Sequence, residues 1–138
     1  MKALLINPKD KTVTEVEHDG DYKQIYQLIE AHAFDCVRID EFETIYVDDE
    51  GLCNGKVHTS GMFRVEGLYP VVLAGKALVL STNKRGAAIA TALTVQQVTD
   101  MIDFVVPMKL PGDIIVFIGD KSWYDGNGVD IQKKEKAR

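Results

Sequence analysis

The sequence predicts an α+β domain: a mostly antiparallel sheet of five or six strands with two main helices packed on one face. Two-residue alternation marks residues 12–17 and 34–39, and short apolar segments at 2–7 and 44–47 end at turn formers as strands do. Two apolar runs, within residues 71–80 and 113–118, read as strands covered on both faces. Residues 21–32 and 94–104 repeat their apolar side chains at helical spacing instead.

The opening apolar burst, residues 2–7, is stopped by Pro8, and Asp10 and Lys11 supply turn chemistry before the alternating residues 12–17. This predicts a β-hairpin. After His18, Asp19 and Gly20 break the pattern, Tyr22, Ile25, Tyr26, Leu28 and Ile29 mark an amphipathic helix over 21–32, with Asp21 placed to cap its first turn. Two strands follow across the polar break at Asp40 and Glu41. From 52 to 70 the pattern loosens around Gly55, Gly61 and Gly67, as expected of a long, partly ordered connection.

The stretch 71–80 is then expected to be the buried centre of the sheet, leaving through a polar strand-to-helix loop at 81–86. Residues 87–93 are small and apolar, fitting a short helix or a packed loop. Thr94 as N-cap and Gln97 as its capping-box partner open a second helix, which Val95, Val98, Met101, Ile102 and Val105 continue until Pro107 stops it. Pro111 and Gly112 make a turn into a last strand of the fully buried kind.

Length and composition fit one globular domain over residues 1–128, with a basic tail at 129–138. The formal charge is −5, and because Lys133, Lys134, Lys136 and Arg138 sit at the end, the body is more acidic still. That balance excludes a broad nucleic-acid surface but leaves room for a nucleotide pocket. No apolar run approaches the roughly 18 residues of a membrane span, so a cytoplasmic protein with reduced thiols at Cys36 and Cys53 is expected.

His32 with Cys36, and Cys53 with His58, are soft ligands without a tight knuckle spacing, so neither a bound metal nor any other cofactor is expected. Cys36 lies near Asp35 and Asp40, which oppose thiolate formation, and Cys53 lacks a paired base. Asp40, Glu41, Glu43, Asp48, Asp49 and Glu50 lack the ligand alternation of a calcium loop. The most suggestive polar segment is Ser81, Thr82, Asn83, Lys84, Arg85 and Gly86: two hydroxyls, an amide, two cations and a glycine leaving a buried strand. Its backbone amides and cations would meet a phosphate. It does not match the G-x-x-x-x-G-K-[ST] loop, and neither does Gly75-Lys76-Ala77. Arg64, Tyr69 and Trp123, with Tyr124, would offer stacking faces or a guanidinium to a base or to a subunit contact.

The opening Lys2-Ala-Leu-Leu-Ile-Asn-Pro8, the helix around Tyr26-Gln-Leu-Ile29, Ile45-Tyr-Val-Asp-Asp-Glu-Gly-Leu52 and Leu73-Ala-Gly-Lys-Ala-Leu-Val-Leu80 together resemble the small domain of unknown function numbered 3846. The resemblance covers about residues 1–86 and leaves 94–128 as an extension. It implies a phage or mobile-element accessory protein inside a bacterial host, and it brings no catalytic residues. The expectation is therefore a non-enzymatic, homo-oligomeric binding protein, sequestering a small nucleotide-like ligand or blocking a host protein. Two alternatives stand beside it: an acidic inhibitor docking on a basic host protein through the 40–50 acids, and a small metal-dependent hydrolase using His32, His58 and Cys53.

Overall fold

The computed structural model describes residues 1–48, 61–68 and 71–121. Among the described residues it is built mainly of antiparallel β-structure, 50% strand against 14% helix, in two stacked sheets. This corrects the expected α+β arrangement of one sheet with two helices on one face.

The first sheet holds β1 (Lys2–Asn7), β2 (Thr12–Glu17), β3 (Phe34–Arg38), β4 (Glu43–Asp48), β7 (Ala77–Thr82) and β8 (Ala88–Ile89). Its order is β2-β1-β7-β4-β3, and β8 pairs with β7 beyond the end of β1. The second sheet is formed by β5 (Met62–Val65), β6 (Val72–Ala74), β9 (Ile102–Leu110) and β10 (Ile114–Gly119), in the order β10-β9-β5-β6. Every pairing is antiparallel.

Strand alternation divides the core into two layers. Leu4, Ile6, Ile45, Val47, Ala77 and Val79 face the second sheet, where Phe63, Val65, Leu73 and Ile102 meet them. Their neighbours Ala3, Tyr46, Leu78 and Leu80 face the opposite way, onto Ile25 and Ile29 of α1 (Tyr22–Ile29). The second helix, α2 (Val95–Met101), inserts Val98 into the layer between the sheets. The two helices thus lie on opposite faces of the first sheet. Full burial of an isoleucine or leucine contributes about 1.5–3 kcal/mol, so β7, buried from Ala77 through Leu80, is the centre of the fold.

Local signals placed both helix starts. The Asp21 carboxylate accepts from the Lys23 N–H, and α1 ends at Glu30, which adopts a left-handed conformation. Thr94 and Gln97 form a reciprocal capping box.

Elsewhere the elements differ from expectation. The run 71–80 is two strands, β6 and β7, which belong to different sheets and are separated at Gly75, whose φ is +83°. Within the expected connection 52–70, Met62–Val65 is the buried strand β5. Residues 88–89 are a short strand. The second helix stops at Met101, and β9 continues through Pro107. Pro107 is tolerated because β5 pairs with β9 only as far as Val105, leaving one side of β9 open where the missing N–H falls. The last strand is not buried: Ile114, Ile115 and Ile118 of β10 are exposed at the sheet edge.

Candidate functional site

At one end of the first sheet, two turns and the chain after β8 enclose a cleft of about 450 Å³. The β3–β4 turn supplies its first wall. Asp40 Oδ1 accepts from the N–H groups of Phe42 and Glu43, each at 2.8 Å, and this pinned turn projects the Phe42 ring outward, 48% exposed. The Phe42 carbonyl in turn accepts from the Thr82 N–H at 2.7 Å and the Ser81 hydroxyl at 3.4 Å, tying the end of β7 to the turn.

The second wall is the β7–β8 hairpin. Residues 81–86 are therefore the exit into a hairpin, not the expected strand-to-helix loop. Asn83 closes it on both sides: its N–H donates to the Ala87 carbonyl at 2.9 Å, and its Oδ1 accepts from Arg85 N–H at 2.9 Å and Ala87 N–H at 3.0 Å. The Gly86 N–H donates to the Asn83 carbonyl, with Gly86 at φ +84°. The amides of Asn83, Arg85 and Gly86, expected to cradle a phosphate, are thus committed within the turn, and the exposed Lys84 and Arg85 side chains are its cationic groups.

The third wall is Ile89, Ala92 and Leu93. Thr91 anchors it: its N–H donates to the Lys2 carbonyl at 3.0 Å, and its hydroxyl donates to Glu43 while accepting from the Leu93 N–H at 3.1 Å. The second Glu43 oxygen accepts from the Ala92 N–H at 3.4 Å. Glu43 and Ser81, both buried, form the floor. The cleft combines an exposed aromatic ring, aliphatic walls, a buried carboxylate held by two donors, and a cation at the rim. That set suits a small planar molecule bearing an anionic group.

Of the residues expected at a ligand site, Ser81, Thr82, Asn83 and Lys84 line this cleft, with Arg85 and Gly86 on the same turn. Arg64 does not join them. It is buried in the second sheet, opposite Asp103, and donates to the Phe117 carbonyl at 3.1 Å. Tyr69 and Trp123 lie outside the described residues. The sequence reading missed Phe42, Ile89 and Leu93; a phenylalanine among turn acids at 40–43 was the available signal.

The acids of 40–48 do not share one solvent-facing surface, since Glu43 and Asp48 are buried. Asp49, Glu50, Cys53 and His58 lie outside the described residues, among which no three His, Cys, Asp or Glu side chains gather as a metal site. Burial, and then the Asp35 charge, push the Cys36 thiol above its ordinary range; the direction is the expected one, but burial leads and Asp40 does not contribute. No described helix is long and apolar enough to cross a membrane.

Residues 1–104 match the model of a domain of unknown function, DUF3846. The chain belongs to this family. The match runs past the 86 residues on which the resemblance rested, takes in α2, and ends three residues into β9. The whole cleft therefore lies within the DUF3846 region, and most of the β9–β10 hairpin lies beyond it. Comparison with curated proteins and with solved structures found no match.

Proposed function

We propose that this DUF3846 protein acts by binding, taking a small nucleotide-like ligand into the cleft between the β3–β4 turn and the β7–β8 hairpin. The carrying observation is the exposed Phe42 ring facing a cleft rimmed by Lys84 and floored by Glu43 and Ser81. Phe42 and Ile89 offer a base a flat apolar bed, worth roughly 1–3 kcal/mol in stacking. Lys84 and Arg85 meet the phosphate through their side chains. Glu43, its oxygens oriented by Thr91 and Ala92, accepts from an exocyclic amine or a ribose hydroxyl. Ser81 gives its proton to the Phe42 carbonyl, a bond that suits a wall of a binding site better than a nucleophile. In the setting typical of the family, such a protein serves a phage or mobile element in the bacterial cytoplasm by sequestering a nucleotide.

Titration calorimetry with ribonucleoside mono-, di- and triphosphates and cyclic dinucleotides tests this. At least one is expected to bind, and Phe42→Ala, or Lys84→Ala with Arg85→Ala, is expected to weaken it by about tenfold or more. If none binds, or if both variants keep the wild-type affinity, the cleft is not a nucleotide site.

A further inference from the structure

We infer that the outer half of the β9–β10 hairpin is a dimerisation arm whose apolar face packs on the same face of a second copy of this chain. In the register of the hairpin, Val106, Met108 and Leu110 stand opposite Ile118, Val116 and Ile114. Directly opposed residues share a face, so these six apolar side chains form one uncharged strip. Five of them are exposed, from 36% at Leu110 to 55% at Ile114, and Val116 is half-buried. The tip ion pair, Lys109 with Asp113 at 3.1 Å, leaves the strip uncharged, because Lys109 points to the other face.

The strip continues the inner face of the second sheet. Ile102 and Phe104, on the same side of β9, pack toward the first sheet with Phe63 and Val65. Past Val105 the pairing with β5 ends, and among the described residues no layer continues the cover while the apolar pattern goes on. A strand pair needs an apolar layer about 10 Å away to exclude water from such a face, and the strip of a second copy, related by a two-fold axis, supplies one. The area suffices for a weak interface: about 500 Å² of strip on each copy gives about 1,000 Å² in total, the lower bound for a specific interface and within the size of weak, transient ones. A patch of this size matches the largest that a typical monomer exposes, which is often an interaction site, and β10 carries none of the charges or prolines that guard an edge strand. A competing cover within the chain is residues 122–138: its last six positions are nearly all charged and complement an uncharged strip poorly, whereas residues 122–132 carry Trp123, Tyr124, Val129 and Ile131, and the truncation below tests them. This interface is independent of the nucleotide cleft, which lies on the other sheet.

The test is sedimentation velocity on the full chain between about 1 and 200 µM, a range wide enough to catch the weak association of a small interface. A concentration-dependent dimer is expected, and Ile114→Lys with Ile118→Lys is expected to return it to monomer. Far-UV circular dichroism and a urea transition check the fold of that variant. Met108→Glu, a single change on the facing strand, gives the same readout should the double variant fail to fold. A wild-type chain that stays monomeric throughout overturns the inference, as does a dimer that survives the substitutions in a folded protein. A chain ending at residue 121 that dimerises where the full chain does not also overturns it, by identifying residues 122–138 as the cover.

Discussion

The carboxylate of Asp103 fills the space that a Cβ at Gly119 would occupy. From that position Asp103 Oδ1 accepts from the N–H groups of Asp120 at 2.9 Å and Lys121 at 3.2 Å, so the root of the β9–β10 hairpin is closed by one side chain folded over a glycine. Gly119→Ala forces the carboxylate out and is expected to cost about 1–3 kcal/mol, as overpacking of a buried site does. Asp103→Ala loses the clamp but opens the space. The double variant is therefore expected to be hardly less stable than Asp103→Ala alone, a coupling of about 1 kcal/mol or more. Urea denaturation of the four proteins measures it, and simple additivity would refute the steric account.

His18 makes the fold sensitive to acid. It is buried, its Nδ1 accepts from the Gly20 N–H at 3.0 Å, and its Nε2 is enclosed without a partner. Burial holds its pKa below the usual 6.5; the Asp19 charge opposes it, and the N-terminal ammonium, a smaller effect than Asp19, acts with burial. The unfolded chain therefore takes up a proton before the folded one does. Stability supplied by the neutral ring is complete above pH 6.5 and is lost as pH falls from there through the lowered native value. Asp103 works in the opposite sense, since burial raises its carboxyl above 3.8 and its ionisation costs stability as pH rises through that raised value. Urea midpoints at about pH 8 and about pH 5 are expected to differ less in His18→Phe than in wild type. An equal drop in both proteins would assign the acid sensitivity elsewhere.

What was legible in the sequence were features written locally. The turn after Pro8, the Asp21 cap and the Thr94–Gln97 box each need only neighbouring residues, and each is present. The division into two sheets was not legible, because both halves of 71–80 are apolar and only the positive φ at Gly75 separates them. Residues 102–105 satisfied helical and strand periodicities together, and pairing with β5 decided for the strand. The apolar run 113–118 has the composition of a buried strand but lacks a covering layer within the described chain. At the site, Ser81 to Lys84 were found by their polarity. Phe42 and Ile89 were not, since their partnership depends on β4 and β8 flanking β7 from opposite sides.

The bond between Glu43 and Thr91 links stability to the cleft. Glu43 lies in β4 and Thr91 in the chain leaving β8, both buried, and the Thr91 hydroxyl joins the carboxylate to the Leu93 N–H. Thr91→Val keeps the shape of the side chain while removing a donor from a buried carboxylate and an acceptor from an amide. A loss of about 2–3 kcal/mol is expected, because a buried charged acceptor deprived of a partner bears its desolvation cost. The segment forming the third wall should also loosen, so the amides of Ala92 and Leu93 are expected to exchange with deuterium faster than in wild type, while those of α1, on the far face, change only with global stability. Uniform acceleration through both regions would mean that Thr91 supports the fold as a whole, whereas acceleration confined to residues 91–93 would identify the Glu43–Thr91 bond as the brace of the ligand wall.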